Sequence, residues 1–134
     1  MRGFTLLFAV LFVSATLALS LGLSNLIIGQ IRLSGSGRDS QFAFYAADSG
    51  AECATYWDRS GNKFSTSSAS NIVCVGQSRS VGGAPTSSFN LDFTNGSCVS
   101  VGVNKSNPAE TVITSIGHSP CNGRRVERGL EVRY

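Results

Sequence analysis

Catalysis in this chain would have to draw on one histidine, four cysteines and eight carboxylates. The histidine, His118, stands between Gly117 and Ser119-Pro120, and no second histidine exists to share a metal or a proton with it. With no carboxylate beside it in the sequence, it is expected in a loop, without a ligand or general-base role. The cysteines, Cys53, Cys74, Cys98 and Cys121, include no C-x-x-C pair, so the local spacing that builds zinc sites is missing. Gly35-Ser36-Gly37-Arg38 has the glycines of a phosphate loop but neither the preceding strand nor the Gly-Lys-Ser/Thr ending. Asn95-Gly96-Ser97 and Asn104-Lys105-Ser106 match the glycosylation triplet, an ordinary occurrence in so serine-rich a chain. Arg124, Arg125 and Arg128 are interleaved with Glu127 and Glu131, and the net charge is only +3. That pattern is the solvated face of a strand and not a nucleic-acid surface. These residues predict no enzyme, no cofactor, no metal and no nucleic-acid partner.

What the chain does hold is a long apolar element. Residues 3–31 contain no charge; Arg2 precedes them and Arg32 closes them. As a helix this stretch would run about 43 Å, longer than the ~30 Å hydrocarbon core of a bilayer. A secretory signal has an apolar region of about 7–15 residues before a small-residue cleavage site. Here the run continues past any such site near Ala15 or Ala18, so it is read as a retained anchor over residues 4–31. Arg2 on its short side implies that the long C-terminal part is exported. Cysteines in an exported domain are expected as two disulfides.

From Gln41 an apolar stripe resumes at spacings of three and four: Phe42, Tyr45, Ala46, Ser49, Cys53, Tyr56 and Trp57. Asp48 and Glu52 fall off it, toward solvent. The helix is therefore expected to continue over residues 32–58, able to kink at Ser34-Gly35-Ser36-Gly37 and broken by Ser60-Gly61-Asn62. Residues 59–134 read as a β domain. Its strands are expected at 71–77, 89–93, 111–117 and 126–134, with a loop at 78–87. Asn95-Gly96 predicts a two-residue hairpin turn, which would set Phe93 opposite Cys98 and Leu91 opposite Ser100. In the last strand Leu130, Val132 and Tyr134 point one way, Glu131 and Arg133 the other. Such a sheet needs a cover, and the stripe carrying Phe42, Tyr45, Tyr56 and Trp57 is the cover available. The expected fold class is α+β, a long N-terminal helix packed on a small antiparallel sheet. Four cysteines allow three pairings. Cys53–Cys74 with Cys98–Cys121 is favoured, tying the helix to the first strand and closing the C-terminal loop. Each closure of about 20 residues is worth roughly 3 kcal/mol through the unfolded state.

The first residues, Met1-Arg2-Gly3 then Phe4-Thr5-Leu6-Leu7, followed by a long apolar helix and a β domain, resemble the type IV pilin superfamily. That resemblance implies a leader of residues 1–3, cleavage between Gly3 and Phe4 by a prepilin peptidase, and N-methylation of Phe4. The assembly glutamate common at the fifth mature position is missing: Phe8 stands there, and the first acidic residue is Asp39. Within the superfamily this absence resembles PilX-like and general-secretion K-like minor pilins. Residues 46–54, AADSGAECA, are similar to the AA-x-(A/S)-G-x-E-x-A stretch of PilX-like N-terminal regions. The resemblance covers about residues 1–58. It implies a minor pilin or pseudopilin of a type IV pilus or type II secretion-like filament, at its tip or in its initiation. The implied partners are other pilin-like subunits, the prepilin peptidase and an inner-membrane assembly platform. The implied location is the cell membrane, single-pass, with the C-terminal domain outside the cytoplasm or in an extracellular filament. The alternative reading is a single-span anchored binding module whose anchor never leaves the membrane.

Overall fold

The computed structural model describes residues 2–123 and 126–134. Met1, Arg124 and Arg125 lie outside them, and with these the first leader residue and two of the three clustered arginines. The fold is α+β, one long N-terminal helix followed by two small antiparallel sheets. The helix, α1, is Arg2–Gly61. It stays helical through Ser34-Gly35-Ser36-Gly37, where the sequence allows unwinding. The chain forms two compact units, one ending at Gly35 and one beginning at Ser36.

The end of α1 lies three residues beyond the expected Asp58, because Asn62 and Lys63 build its cap. Asn62, at φ 45°, donates its N–H to Asp58 O (3.1 Å), and Lys63 N–H reaches Trp57 O (3.1 Å). The Asn62–Asp58 bond is that of the αL cap, with asparagine in the left-handed position that glycine usually takes.

Six strands follow: β1 Ala69–Cys74, β2 Gln77–Gly82, β3 Thr86–Asp92, β4 Cys98–Asn107, β5 Glu110–Ser119 and β6 Val126–Arg133. β1 and β2 form one hairpin; β3 to β6 form a meander in sequence order. Two corrections to the expected strands concern turns. Residues 78–87 are not one loop: β2 takes 78–82 and β3 begins at Thr86, and β2 is joined to β1 by Val75-Gly76 with both residues at positive φ (52° and 72°). A β-branched residue there runs against backbone sterics, which is why the turn is not legible.

The second correction is register. Asp92 pairs with Cys98 and Leu91 with Val99, one residue away from the two-residue reading. Phe93 N–H donates to Ser97 O (2.9 Å) and Gly96 N–H to Phe93 O (3.1 Å), with Gly96 at φ 82°. The loop is thus the three-residue kind that ends in a left-handed glycine. Asn95 Oδ1 stabilises it by accepting from Ser97 N–H (3.0 Å) and Ser97 Oγ (2.7 Å). The slip turns Cys98 away from the face shared by Phe89 and Leu91. Val99, Val101 and Val103 fill that face instead, with Ile113, Ile72, Val81 and Phe64.

The helical cover also differs from the expected stripe. Tyr45 and Tyr56 are 63% and 62% exposed, and Phe42 is only half-buried. Trp57 alone of the four aromatics packs on the core, donating Nε1–H to Val73 O (3.1 Å). The buried face is made of small residues, Ala43, Ala46, Ala47, Gly50, Ala51 and Ala54. Moving one residue along a helix turns the face by about 100°, so following the aromatics selects the wrong side.

Close approach is the reason small residues win. A Cβ on Gly50 would lie 2.7 Å from Val101 Cγ2 and 2.8 Å from Ser115 Oγ. On the sheet side, a Cβ on Gly117 would meet Ala47 N at 2.8 Å and the carbonyl of Ala43. Ser115 Oγ–H donates to Ala47 O (2.6 Å) inside this contact, so this buried hydroxyl is satisfied.

Two disulfides close the domain, Cys53–Cys74 and Cys98–Cys121, the connectivity favoured from sequence. The first joins α1 to β1, and the second joins β4 to the segment after β5.

Candidate functional site

Among the described residues, one helix is long and apolar enough to cross a membrane, and it lies at the N-terminus. Its side chains over residues 3–38 are all exposed. Apolar side chains left bare over so long a stretch require another apolar phase or apolar neighbours. Phe4, Phe8 and Phe12, spaced four apart, form a ring stripe with centroids 5.1 Å and 6.2 Å apart. Phe8 is the middle ring. The opposite face is a shallow apolar hollow of about 350 Å³ lined by Leu6, Ala9, Val10, Val13, Ser14 and Leu17. A ridge and a hollow on one helix are complementary shapes for parallel neighbours.

Three hydroxyls of this segment turn inward on their own backbone. Ser14 Oγ–H donates to Leu11 O (2.9 Å), Thr16 Oγ1–H to Val13 O (2.9 Å), and Ser24 Oγ–H to Ser20 O (2.9 Å). A hydroxyl satisfied in this way can enter hydrocarbon without an orphaned donor. Gly3, on which a Cβ would meet nothing within 4 Å, and Phe4 lie in the first turns of α1.

In the C-terminal unit no catalytic set assembles among the described residues. His118 is not in a loop: it lies in β5, 9% exposed, opposite Glu127 of β6. Its Nδ1 is 3.1 Å from Glu127 Oε1 but outside hydrogen-bond geometry. Register explains the meeting, because β5 runs two residues further than expected and brings positions 118 and 127 side by side. Asp92, Cys98 and Cys121 present ligand atoms within 4.8 Å of one another. Both sulfurs are bonded to each other, which leaves one carboxylate and no thiolate for a metal.

The strongest polar constellation was not legible in sequence. Asp58, at the end of α1, is buried and ion-paired to Lys105 of β4. Its other oxygen accepts from Tyr134 Oη (2.9 Å), and the Arg59 guanidinium lies 4.3 Å over the Tyr134 ring. Burial, then the hydrogen bond to Asp58, pushes the Tyr134 phenol up to about 12. Residues 47 and 76 positions apart meet here through the fold alone. The cluster fastens the helix end to the sheet.

The regions with functional potential are therefore the bare apolar helix and the exposed surface of the disulfide-closed domain. No family model, curated protein or solved structure matches this chain.

Proposed function

We propose that the chain is a structural subunit, pilin-like or pseudopilin-like, of an envelope filament of the type IV pilus or type II secretion kind. The observation that carries this reading is the charge-free, wholly exposed helix surface that begins directly after Gly3. The same surface serves two solvents in turn. In the bilayer it is covered by lipid tails; in a filament it is covered by the helices of neighbouring copies or other pilin-like subunits. Lipid and protein are about equally apolar, so this exchange has little hydrophobic driving force, and close packing decides it. The Phe4–Phe8–Phe12 ridge and the hollow opposite it supply such packing. With Phe8 in place of a carboxylate, the subunit buries no charge and needs no amino terminus above it to neutralise one. That suits a minor subunit at the tip or in the initiation complex.

In this reading a prepilin peptidase removes residues 1–3 and Phe4 becomes the methylated amino terminus. An inner-membrane platform then draws the helix out of the membrane. The two disulfides fit an extracytoplasmic domain.

The test is the mass of the mature amino terminus from membranes of cells competent for prepilin processing. N-methylated Phe4 is expected. An intact Met1-Arg2-Gly3 would reject the filament reading and leave an anchored binding module.

A further inference from the structure

We infer that the groove between the C-terminal half of α1 and the edge strand β6 is the docking site for a second copy of this chain, which inserts its Arg38–Tyr45 face. The inference rests on the filament reading for the direction of the copies and goes beyond it in naming the contact.

The groove is an apolar depression of about 510 Å³. Its floor is Ala51, Leu130 and Val132; its rim carries Asp48, Glu52 and Glu131, with Tyr56 at one end. Glu131 is held by Arg133, whose Nε lies 2.6 Å from Glu131 Oε1. Asp48 and Glu52 have no hydrogen bond or ion pair among the described residues. Two carboxylates one turn apart on a helix repel each other, and a cation from outside would relieve them.

The complementary feature lies on the same helix. Arg38 has no carboxylate partner among the described residues; its guanidinium rests 5.8 Å from the centroid of its own Phe42 ring. Tyr45 is exposed, with Phe44 edge-on to it at 6.0 Å. Arg38, Tyr45 and Glu52 recur every seven residues, the spacing of a helix–helix seam. The face thus runs from cationic through aromatic to anionic, and one copy satisfies another only when displaced along the axis. Setting Arg38 between Asp48 and Glu52 of a neighbour requires an offset of 10–14 residues, about 15–21 Å. That offset brings Tyr45 against the neighbour's Tyr56 end of the groove. Copies drawn from one membrane into one filament point the same way but sit at successive heights, which selects this parallel, staggered contact over an antiparallel pair. Each copy then gives one face and receives one, a head-to-tail contact between successive copies in the initiation complex.

The test uses the full chain in the membrane and sheared-filament fractions of cells competent for filament assembly, with p-benzoylphenylalanine at position 45. Illumination is expected to give a dimer whose second arm maps to residues 55–59 or to the β6 peptide 129–133. Arg38→Glu and Glu52→Arg should each lower the dimer yield about tenfold, and the double variant should recover it, because both sides of the contact are then reversed. Both residues are exposed, and retention of the two disulfides on a non-reducing gel reports that the variants fold. A cross-link from position 45 to position 45, a cross-link to lipid alone, or no recovery in the double variant would overturn the contact. The amino-terminal mass in the same sample separates the two readings. Processed Phe4 without the groove cross-link rejects this contact alone; an intact leader without the cross-link rejects the contact and the filament reading together.

Discussion

Asp58, Lys105 and Tyr134 show how a buried charge is tolerated in a domain with a modest core. The Asp58 side chain is 4% exposed and uses both oxygens, one on the Lys105 ammonium and one on the Tyr134 hydroxyl. Removing one partner of a buried pair leaves the other charge uncompensated, at a cost of about 3–5 kcal/mol. Lys105→Met should lose ~3 kcal/mol in urea unfolding of the detergent-solubilised chain, the low end because the tyrosine hydroxyl remains. Tyr134 makes a pH prediction. Its phenol is pushed up to about 12 in the fold from an ordinary 10. Below pH ~10 the stabilisation is fully present. Between about 10 and 12 the unfolded chain loses the proton while the folded one keeps it, so stability falls as pH rises. Tyr134→Phe should be less stable at neutral pH by about 1–2 kcal/mol. Its urea midpoint should then fall less than that of the parent between pH 10 and 12.

At the scale of elements, the long helix, the β domain and the last strand's alternation were legible because each rests on a local period. The side of the helix that packs was not. Aromatic side chains carry the larger apolar signal, yet a helix lying on a twisted sheet at close range is selected by what is small. The signal available was the run Ala43, Ala46, Ala47, Gly50, Ala51, Ala54, read as a face in its own right. Gly50→Ala tests it: the added methyl meets Val99, Val101 and Ser115 within 3 Å, and a loss of about 1–3 kcal/mol is expected from thermal or urea unfolding. Gly117→Ala should cost more, since it meets helix backbone, which cannot rotate away. The hairpin slip at Phe93–Ser97 has a different origin. Asn-Gly serves both two- and three-residue loops, and the choice is made by how Asn95 bonds Ser97. Val75 was illegible because its conformation opposes its own side chain. Val75→Asn at that turn should raise stability by about 0.5–1 kcal/mol, measured as a shift in urea midpoint.

At the scale of the molecule, the chain is two units with unlike solvent requirements. The unit from Ser36 onward holds the buried core, both disulfides and the Asp58 cluster. A fragment of residues 36–134, exported to an oxidising compartment, should be soluble without detergent. The full chain should remain in the membrane fraction until solubilised, and sedimentation of the two checks this. Those disulfides also govern how the domain answers tension. When the domain is pulled through its backbone, the covalent cross-links divert the load around the segments they enclose. The loops closed at Cys53–Cys74 and Cys98–Cys121 span 21 and 23 residues. At roughly 3.3–3.6 Å per extended residue, about 150 Å of chain is withheld from extension as long as the thiols stay oxidised. The oxidised domain is therefore a short tether under load, and reduction turns it into a long one.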